Sequence, residues 1–511
     1  MKILLFIIFL ISLAGCNVSS SMTATPPVES QTPIVQPTAY LIPTSTQMPA
    51  QPTASPLPTS TQTPVLPTQT PEPGLQTNGP YFGYFRHKPG SSILQFVLLD
   101  ADGGGRKVID VPAELADSFF KLYRVDMRYV SPDGKWLAFY TGSAGTVNND
   151  MTVPGDYDLT LNLLDLTTGE KQTVTPLLSK NYPTNFVEAV KEINEPYLTE
   201  TLQSAFLDGI TQALAWSPDG RYLAFAGQMD GLSSDPYLYD LTTKEIQRLP
   251  SDNEELQWVK WSPDGKWILH GSRLSNGSLF AEYSIYAVAR DNSSFHNLGY
   301  GFAGDWLNSH EFLEYRFGIE RYQLQLVDVN TGKITEIWKG YFGGYKVDPT
   351  GTWVAVDAIS SAVPPEKEES RFIYGAPQLI NLRSLEKIQI SDPSSDLPRP
   401  FLRAKDKKVI NLPNSFEMVL ASPDIKYWAV ATRNNIQIYT QDLTLVREIS
   451  IPHQNTEEER PNDIQWSPDS SYLFLIYGRL QETLYVVNIS NGDINLVDSP
   501  VSYGRWFNVS P

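Results

Sequence analysis

Trp216-Ser217-Pro218-Asp219-Gly220-Arg221-Tyr222-Leu223-Ala224-Phe225 is the stretch that decides the fold. Serine opens a tight turn and proline presets φ at the next position. Aspartate follows, and glycine takes the positive φ that other residues resist. Aromatic and aliphatic residues on both sides form the two strands of a hairpin.

The unit recurs. Val130-Ser131-Pro132-Asp133-Gly134-Lys135-Trp136 precedes it, and Trp261-Ser262-Pro263-Asp264-Gly265-Lys266-Trp267 follows it. Weaker copies are Asp348-Pro349-Thr350-Gly351, Ser422-Pro423-Asp424 and Ser467-Pro468-Asp469, with a degenerate one at Trp306-Leu307-Asn308-Ser309-His310-Glu311-Phe312. Ser217 and Ser262 stand 45 residues apart, as do Ser422 and Ser467. After each hairpin comes a strand ending in a residue such as Asp240, a short turn such as Thr242-Thr243-Lys244, and a fourth strand. Four strands in a period of this length are propeller blades.

Seven hairpins give seven first strands. The chain ends read as an eighth blade in two pieces: 81–86, 93–100 and 107–111 as strands two to four, and 503–507 as the first. A C-terminal strand completing an N-terminal blade closes the ring and removes free edges. The expectation is an all-β, eight-bladed propeller, or seven blades if the copy around Trp306 is absorbed elsewhere. One helical insertion is expected near 185–208. Asn185 and Glu188 have the spacing of a capping box, and Phe186, Val190, Ile193, Leu198, Leu202 and Phe206 recur at helical intervals.

On these motifs the chain resembles the TolB-like family of propeller repeats, relatives of WD repeats, over nearly all of 80–511. It departs from the pattern at Ile425 and Ser470, where the hairpin glycine is missing. The motif is also similar to a sialidase Asp-box, but the spacing from Gly134 to Trp136 is one residue short. Asp133, Asp219, Asp264, Asp424 and Asp469 therefore read as turn-stabilising residues, not catalytic ones.

The N-terminus carries a different signal. Lys2, a short apolar run over 3–11, and Leu13-Ala14-Gly15-Cys16 resemble the lipobox of bacterial lipoprotein signal peptides. The run is too short to span a membrane. The resemblance implies cleavage before Cys16 and lipidation of its thiol, hence a membrane partner through the lipid. Asn17 stands where aspartate would signal inner-membrane retention, which points to an outer membrane or the cell surface. Residues 17–78 are Pro, Thr, Ser and Gln with hardly any charge. Pro43-Thr44-Ser45-Thr46-Gln47 returns as Pro58-Thr59-Ser60-Thr61-Gln62. Such a segment cannot bury a core and favours extended polyproline II. The organisation expected is a signal peptide over 1–15, a lipidated stalk over 16–78 and a propeller over 79–511.

Bulk composition removes several functions. The net charge is −18, which repels phosphate backbones and argues against nucleic acid. Cys16 is the single cysteine, so the folded part has no disulfide and no thiolate metal site. The five histidines are scattered and show no metal spacing. There is no Gly-x-Ser-x-Gly elbow and no hydrolase domain.

The hairpins and the short third-to-fourth-strand turns lie on one face of the ring. The long connections, 142–156, 358–377, 176–209, 391–412 and 452–463, lie on the other. Long loops on a rigid scaffold are where binding resides. Asn149, Asp150, Asp156 and Asp158, with Asn148, cluster in the first of them. Their oxygens are a weak candidate for Ca²⁺, and no other cofactor is expected. The leading expectation is a non-catalytic scaffold that binds a protein or an envelope glycan on this face. The rival is a surface-anchored carbohydrate-active hydrolase or lyase with its active site in the channel.

Overall fold

The computed structural model describes residues 73–507, except 92, 112–126, 144–157, 182–208, 231–232, 252–254, 274–282, 318–321, 348–350, 363–371, 375–377, 390–400, 404–407, 411–415, 441–443, 453–459 and 479–481. Eight antiparallel sheets follow one another in a ring. Blade 1 is Val501–Phe507, Tyr81–His87, Leu94–Asp100 and Arg106–Asp110, in that order from the innermost strand outward. The C-terminal strand thus completes the N-terminal blade. Blade 2 has Trp136–Thr141, Thr160–Asp165 and Lys171–Pro176, with Val130 bridged to Leu137 on the inner side. Blade 3 has Leu214–Trp216, Tyr222–Gly227, Asp235–Asp240 and Ile246–Arg248. Blade 4 has Glu255–Trp261, Trp267–Arg273, Tyr283–Ala289 and Phe295–Tyr300.

Blade 5 is Phe302–Trp306, Glu311–Phe317, Tyr322–Asp328 and Lys333–Lys339. The degenerate copy around Trp306 is therefore a full blade, and the count is eight. Asn308 does the work of the missing Ser-Pro-Asp: its Oδ1 accepts from the backbone N–H groups of His310 and Glu311, both at 2.9 Å. Blade 6 is Phe342–Val347, Trp353–Ala362, Gln378–Asn381 and Lys387–Gln389. Its second strand overruns into the connection expected as a loop and pairs with Phe372–Tyr374. Blade 7 is Phe416–Ala421, Tyr427–Thr432, Asn435–Thr440 and Leu445–Ser450. Blade 8 is Pro461–Trp466, Tyr472–Tyr477, Thr483–Asn488 and Ile494–Asp498. The connection between blades 6 and 7 contains a small hairpin, Phe401–Arg403 with Lys408–Ile410. The helix expected near 185–208 lies outside the described residues, apart from a helical turn over 209–212.

Leu94–Asp100 is buried along its whole length and most middle strands over their centres, because both faces of a blade pack on neighbouring blades. Outer strands such as Ile246–Arg248 are exposed. The hairpin motif is closed by side chains. Ser217 Oγ donates to Asp219 Oδ1 at 2.5 Å and accepts from the Tyr222 N–H at 2.9 Å. The same pair of bonds recurs from Ser262, Ser422 and Ser467, and from Ser131. Gly134, Gly220, Gly265 and Gly351 take φ of 66–70°. Ile425 and Ser470 replace the glycine without changing the turn, at φ 55° and 62°.

Blades are stitched to one another by the tryptophan before the serine. Trp216 Nε1 donates to Tyr129 O at 3.0 Å, Trp261 to Ala215 O at 2.9 Å and Trp466 to Leu420 O at 3.1 Å. The closing seam, between blades 8 and 1, adds a charge. Asp498 accepts from Arg86 Nη1 at 2.6 Å and from the Tyr84 hydroxyl at 2.7 Å. Phe82 stacks on Phe474 at 4.3 Å, with Trp506 edge-on to both.

Residues 73–77, which by composition belong with the stalk, are bound to blade 1. Arg106 N–H donates to Pro73 O at 2.9 Å. The fully buried Asp100 accepts from Gln76 N–H (2.7 Å) and from Thr77 Oγ1 (2.6 Å). Gly105 makes room for this strap, since a Cβ there would sit 2.6 Å from Gly74 O. Among the described residues no helix is long and apolar enough to cross a membrane.

Candidate functional site

The two faces of the ring are built differently. On the hairpin face the five turn aspartates stay apart, one per blade, each held by its own serine. Asp424 shows the electrostatics: burial pushes its carboxyl up, but the Ser422 hydroxyl and Lys426 outweigh this and hold it at about 2. Each third strand of blades 2, 3, 5, 6 and 8 ends in Asp or Asn whose side chain accepts from the next turn's N–H groups. Asp240 accepts from Thr242 N–H at 2.7 Å, and Asn488 from Ser490 N–H at 2.9 Å.

His310, Glu311 and Asp328 come within 4.8 Å on this face. Both Glu311 oxygens and one Asp328 oxygen are already committed. Glu311 accepts from both terminal nitrogens of Arg383, at 2.5 and 2.6 Å, which ties blade 5 to blade 6. Asp328 Oδ1 accepts from Asn330 N–H at 2.9 Å. The trio reads as a turn and an inter-blade ion pair.

On the long-loop face, Asn149, Asp150 and Asp156 lie outside the described residues. Asp158 is described, and its Oδ1 accepts from Ser143 N–H at 2.7 Å. Ser143 O in turn accepts from Asp158 N–H at 3.0 Å. Asp158 thus closes the base of the 144–157 connection. Cys16 also lies outside the described residues.

Sequence reasoning missed a polar network where blades 3 and 4 meet this face. The buried Asp235 binds Arg248 Nη2 at 2.6 Å and Ser251 Oγ at 2.8 Å. The Tyr237 hydroxyl donates to Asp230 at 2.5 Å. Glu255 accepts from Ser234 N–H and Oγ, at 2.9 and 2.6 Å. Burial raises the Glu255 carboxyl, with Ser234 opposing it. No motif marks these residues, because they meet only across strands.

The innermost strands line the channel; Leu214–Trp216 packs on Glu255–Trp261, and Phe416–Ala421 on Pro461–Trp466. The position two before the hairpin serine reads Ala215, Lys260, Leu420 and Gln465, and blade 5 adds Asp305; of these Lys260, Asp305 and Leu420 are exposed. Lys260 Nζ reaches the next blade and donates to Ala303 O at 3.1 Å. Surrounding protein desolvates its ammonium and lowers its pKa, opposed by Asp305. The first strand of blade 5 bulges between Ala303 and Trp306, which re-aims Asp305. Gly304 within the bulge admits the Tyr345 hydroxyl, which a Cβ there would strike. Burial, then Asp305, raises the Tyr345 phenol. This wall carries Lys260, Asp305 and the Tyr345 phenol, groups suited to hydrogen bonding.

The described histidines do not converge. His87 is exposed on blade 1, His270 is buried in blade 4, His296 is on an outer strand and His310 is on the hairpin face. On the innermost strand of blade 8, burial and the Glu482 charge raise the Asp463 carboxyl, opposed by a hydrogen bond from Gln465, and no described histidine joins them.

No protein-family model matches the chain, and no curated protein is significantly similar to it. Solved structures similar to it include TolB from Acinetobacter baumannii, at 16% identity and TM-score 0.29 over 60% of this chain and 62% of that one. An oligogalacturonate lyase in complex with manganese is similar at 10% identity and TM-score 0.36, over 86% and 98%. Prolyl endopeptidases are similar at 10% identity and TM-score 0.39, over 74% and 49%. The chain spans less than two thirds of that TolB, and at these scores the likenesses say nothing of activity.

Proposed function

We propose that this chain is a lipid-anchored envelope protein whose eight-bladed propeller binds a protein or glycan on its long-loop face without catalysing a reaction. The observation that carries the reading is the asymmetry of the two faces. One is locked turn by turn by Ser and Asp side chains, while the other carries every long connection on the same rigid frame. Among the carboxylates described on that face, Asp158, Asp230, Asp235 and Glu255 are engaged by protein donors, which suits a framework more than a reaction centre. Lipidation of Cys16 would place it at a membrane, with 17–72 as the tether. Each buried acyl CH₂ contributes about 0.8 kcal/mol, so several chains on one residue hold firmly.

The test is to present the purified chain to solubilised envelope and to a glycan panel. Retention of a partner or glycan without bond cleavage is the expected result. Cleavage of a glycan that is lost in Lys260→Ala or Asp305→Ala would move the assignment to the channel enzyme. Metabolic labelling with a fatty acid, lost in Cys16→Ser, checks the anchor separately.

A further inference from the structure

Blade 5 buries a carboxyl group that its neighbours leave incomplete. The Glu314 side chain is fully buried. Its Oε1 accepts from Arg316 Nε at 3.0 Å, but its Oε2 meets no donor. Its register partner on the third strand is Gln325, so the two Cβ atoms stand about 5 Å apart on one face. Gln325 Oε1 is also buried and meets no donor. Two register partners therefore each bury an acceptor that meets no donor.

The chain of bonds continues outward. Gln325 Nε2 donates to Gln323 Oε1 at 3.3 Å, and Gln323 Nε2 donates to Glu336 Oε2 at 3.4 Å, on the exposed outer strand. Each amide accepts on one side and donates on the other, whereas a carboxylate only accepts. Two amides between two carboxylates lack one hydrogen whichever way the amides are turned. Water can supply it at Glu336, but not at a buried oxygen.

We propose that Glu314 is held as the neutral acid, donating to Gln325 Oε1 and completing a directed chain Glu314–Gln325–Gln323–Glu336. Ionisation of Glu314 breaks that chain or forces its amides to turn around. Burial raises the Glu314 carboxyl, and Arg316 opposes it. Arg316 also donates to Leu298 O of blade 4 at 3.2 Å. Lys260 is turned to the Ala303 and Gly304 carbonyls. Gly301 leaves the space Glu314 occupies, since a Cβ there would lie 2.5 Å from its Oε1. Because the folded-state pKa is raised, the stabilisation is complete below the ordinary value of 4.5 and is lost as pH rises through the folded value.

The experiment follows thermal unfolding of the full chain from pH 4.5 to 8 in wild type, Glu314→Gln and Glu336→Gln. Glu314→Gln carries a permanent N–H donor, so its midpoint should not share the wild-type decline, and the two should separate by about 1–3 °C as pH rises. Glu336→Gln can donate or accept at the outer end, so the amides can reverse without loss and the decline should shrink. An infrared band of protonated carboxyl at pH 6 should be weaker in Glu314→Gln than in wild type, since the buried Glu255 contributes to it as well. Parallel pH profiles in wild type and Glu314→Gln overturn the proposal, as does a band of equal intensity in the two. If Glu314→Gln does not fold, the Glu336→Gln profile decides it.

Discussion

The hairpin face and the long-loop face come from the same eight blades but store their information differently. On the hairpin face each turn is a local device. Ser217, Asp219 and Gly220 satisfy one another within four residues, and the next blade repeats them. On the long-loop face the ordered groups are bound over distance: Asp235 with Arg248 and Ser251, Glu255 with Ser234, Ser143 with Asp158. A local device is repeated and builds the ring. A distant one is particular to its blade and is where specificity can be added. The seam between blades 8 and 1 is intermediate, because it joins residues from the two ends of the chain.

Perturbations should rank by how much of the ring they release. The largest loss is expected at the seam. Asp498→Ala strips a mostly buried partner from Arg86 and Tyr84, and should cost about 3 kcal/mol in chemical denaturation. A hairpin lock is next. Ser217 is fully buried, and Ser217→Ala leaves the Tyr222 N–H and Asp219 without their bonds, at a cost of about 2 kcal/mol. Chains beginning at residue 79 lose the donors to the buried Asp100, and should be about 1–2 kcal/mol less stable than chains beginning at 73. Ile425→Gly acts in the other direction. A β-branched residue at φ 55° is strained, so glycine there should add about 1 kcal/mol, seen as a later unfolding midpoint.

The smallest effect is a pH dependence on the hairpin face. The Arg221 guanidinium holds the Asp240 carboxyl at about 2, below its ordinary 3.8. Its stabilisation is complete above 3.8 and is lost as pH falls toward 2. Acid unfolding of Asp240→Asn should therefore be less steep in that window than in the wild type. Equal slopes would show that the exposed pair contributes nothing measurable.

The ring was legible because turn chemistry is local. Ser-Pro-Asp-Gly names its own conformation, and seven copies, three of them complete, leave few alternatives. Even where Ile425 and Ser470 break the pattern, the flanking Ser and Asp keep the turn. At Asn308 a single amide replaces the whole motif. The strap over 73–77 was not legible, because its composition matches the stalk and its partner Asp100 lies more than 20 residues on. Nor were the channel wall and the Glu314–Gln325 pair, since strand register, bulges and blade neighbours bring those residues together. Of the residues singled out on the long-loop face, Asp158 proves to be a loop clasp.

Cross-linking of the full chain to its captured envelope partner tests the central claim most directly. The account predicts cross-links at the long connections, such as 144–157 and 182–208, with no glycan cleaved. Cross-links confined to the hairpins around Asp133, Asp219 and Asp264, or turnover of a glycan at the Lys260–Asp305 wall, would contradict it.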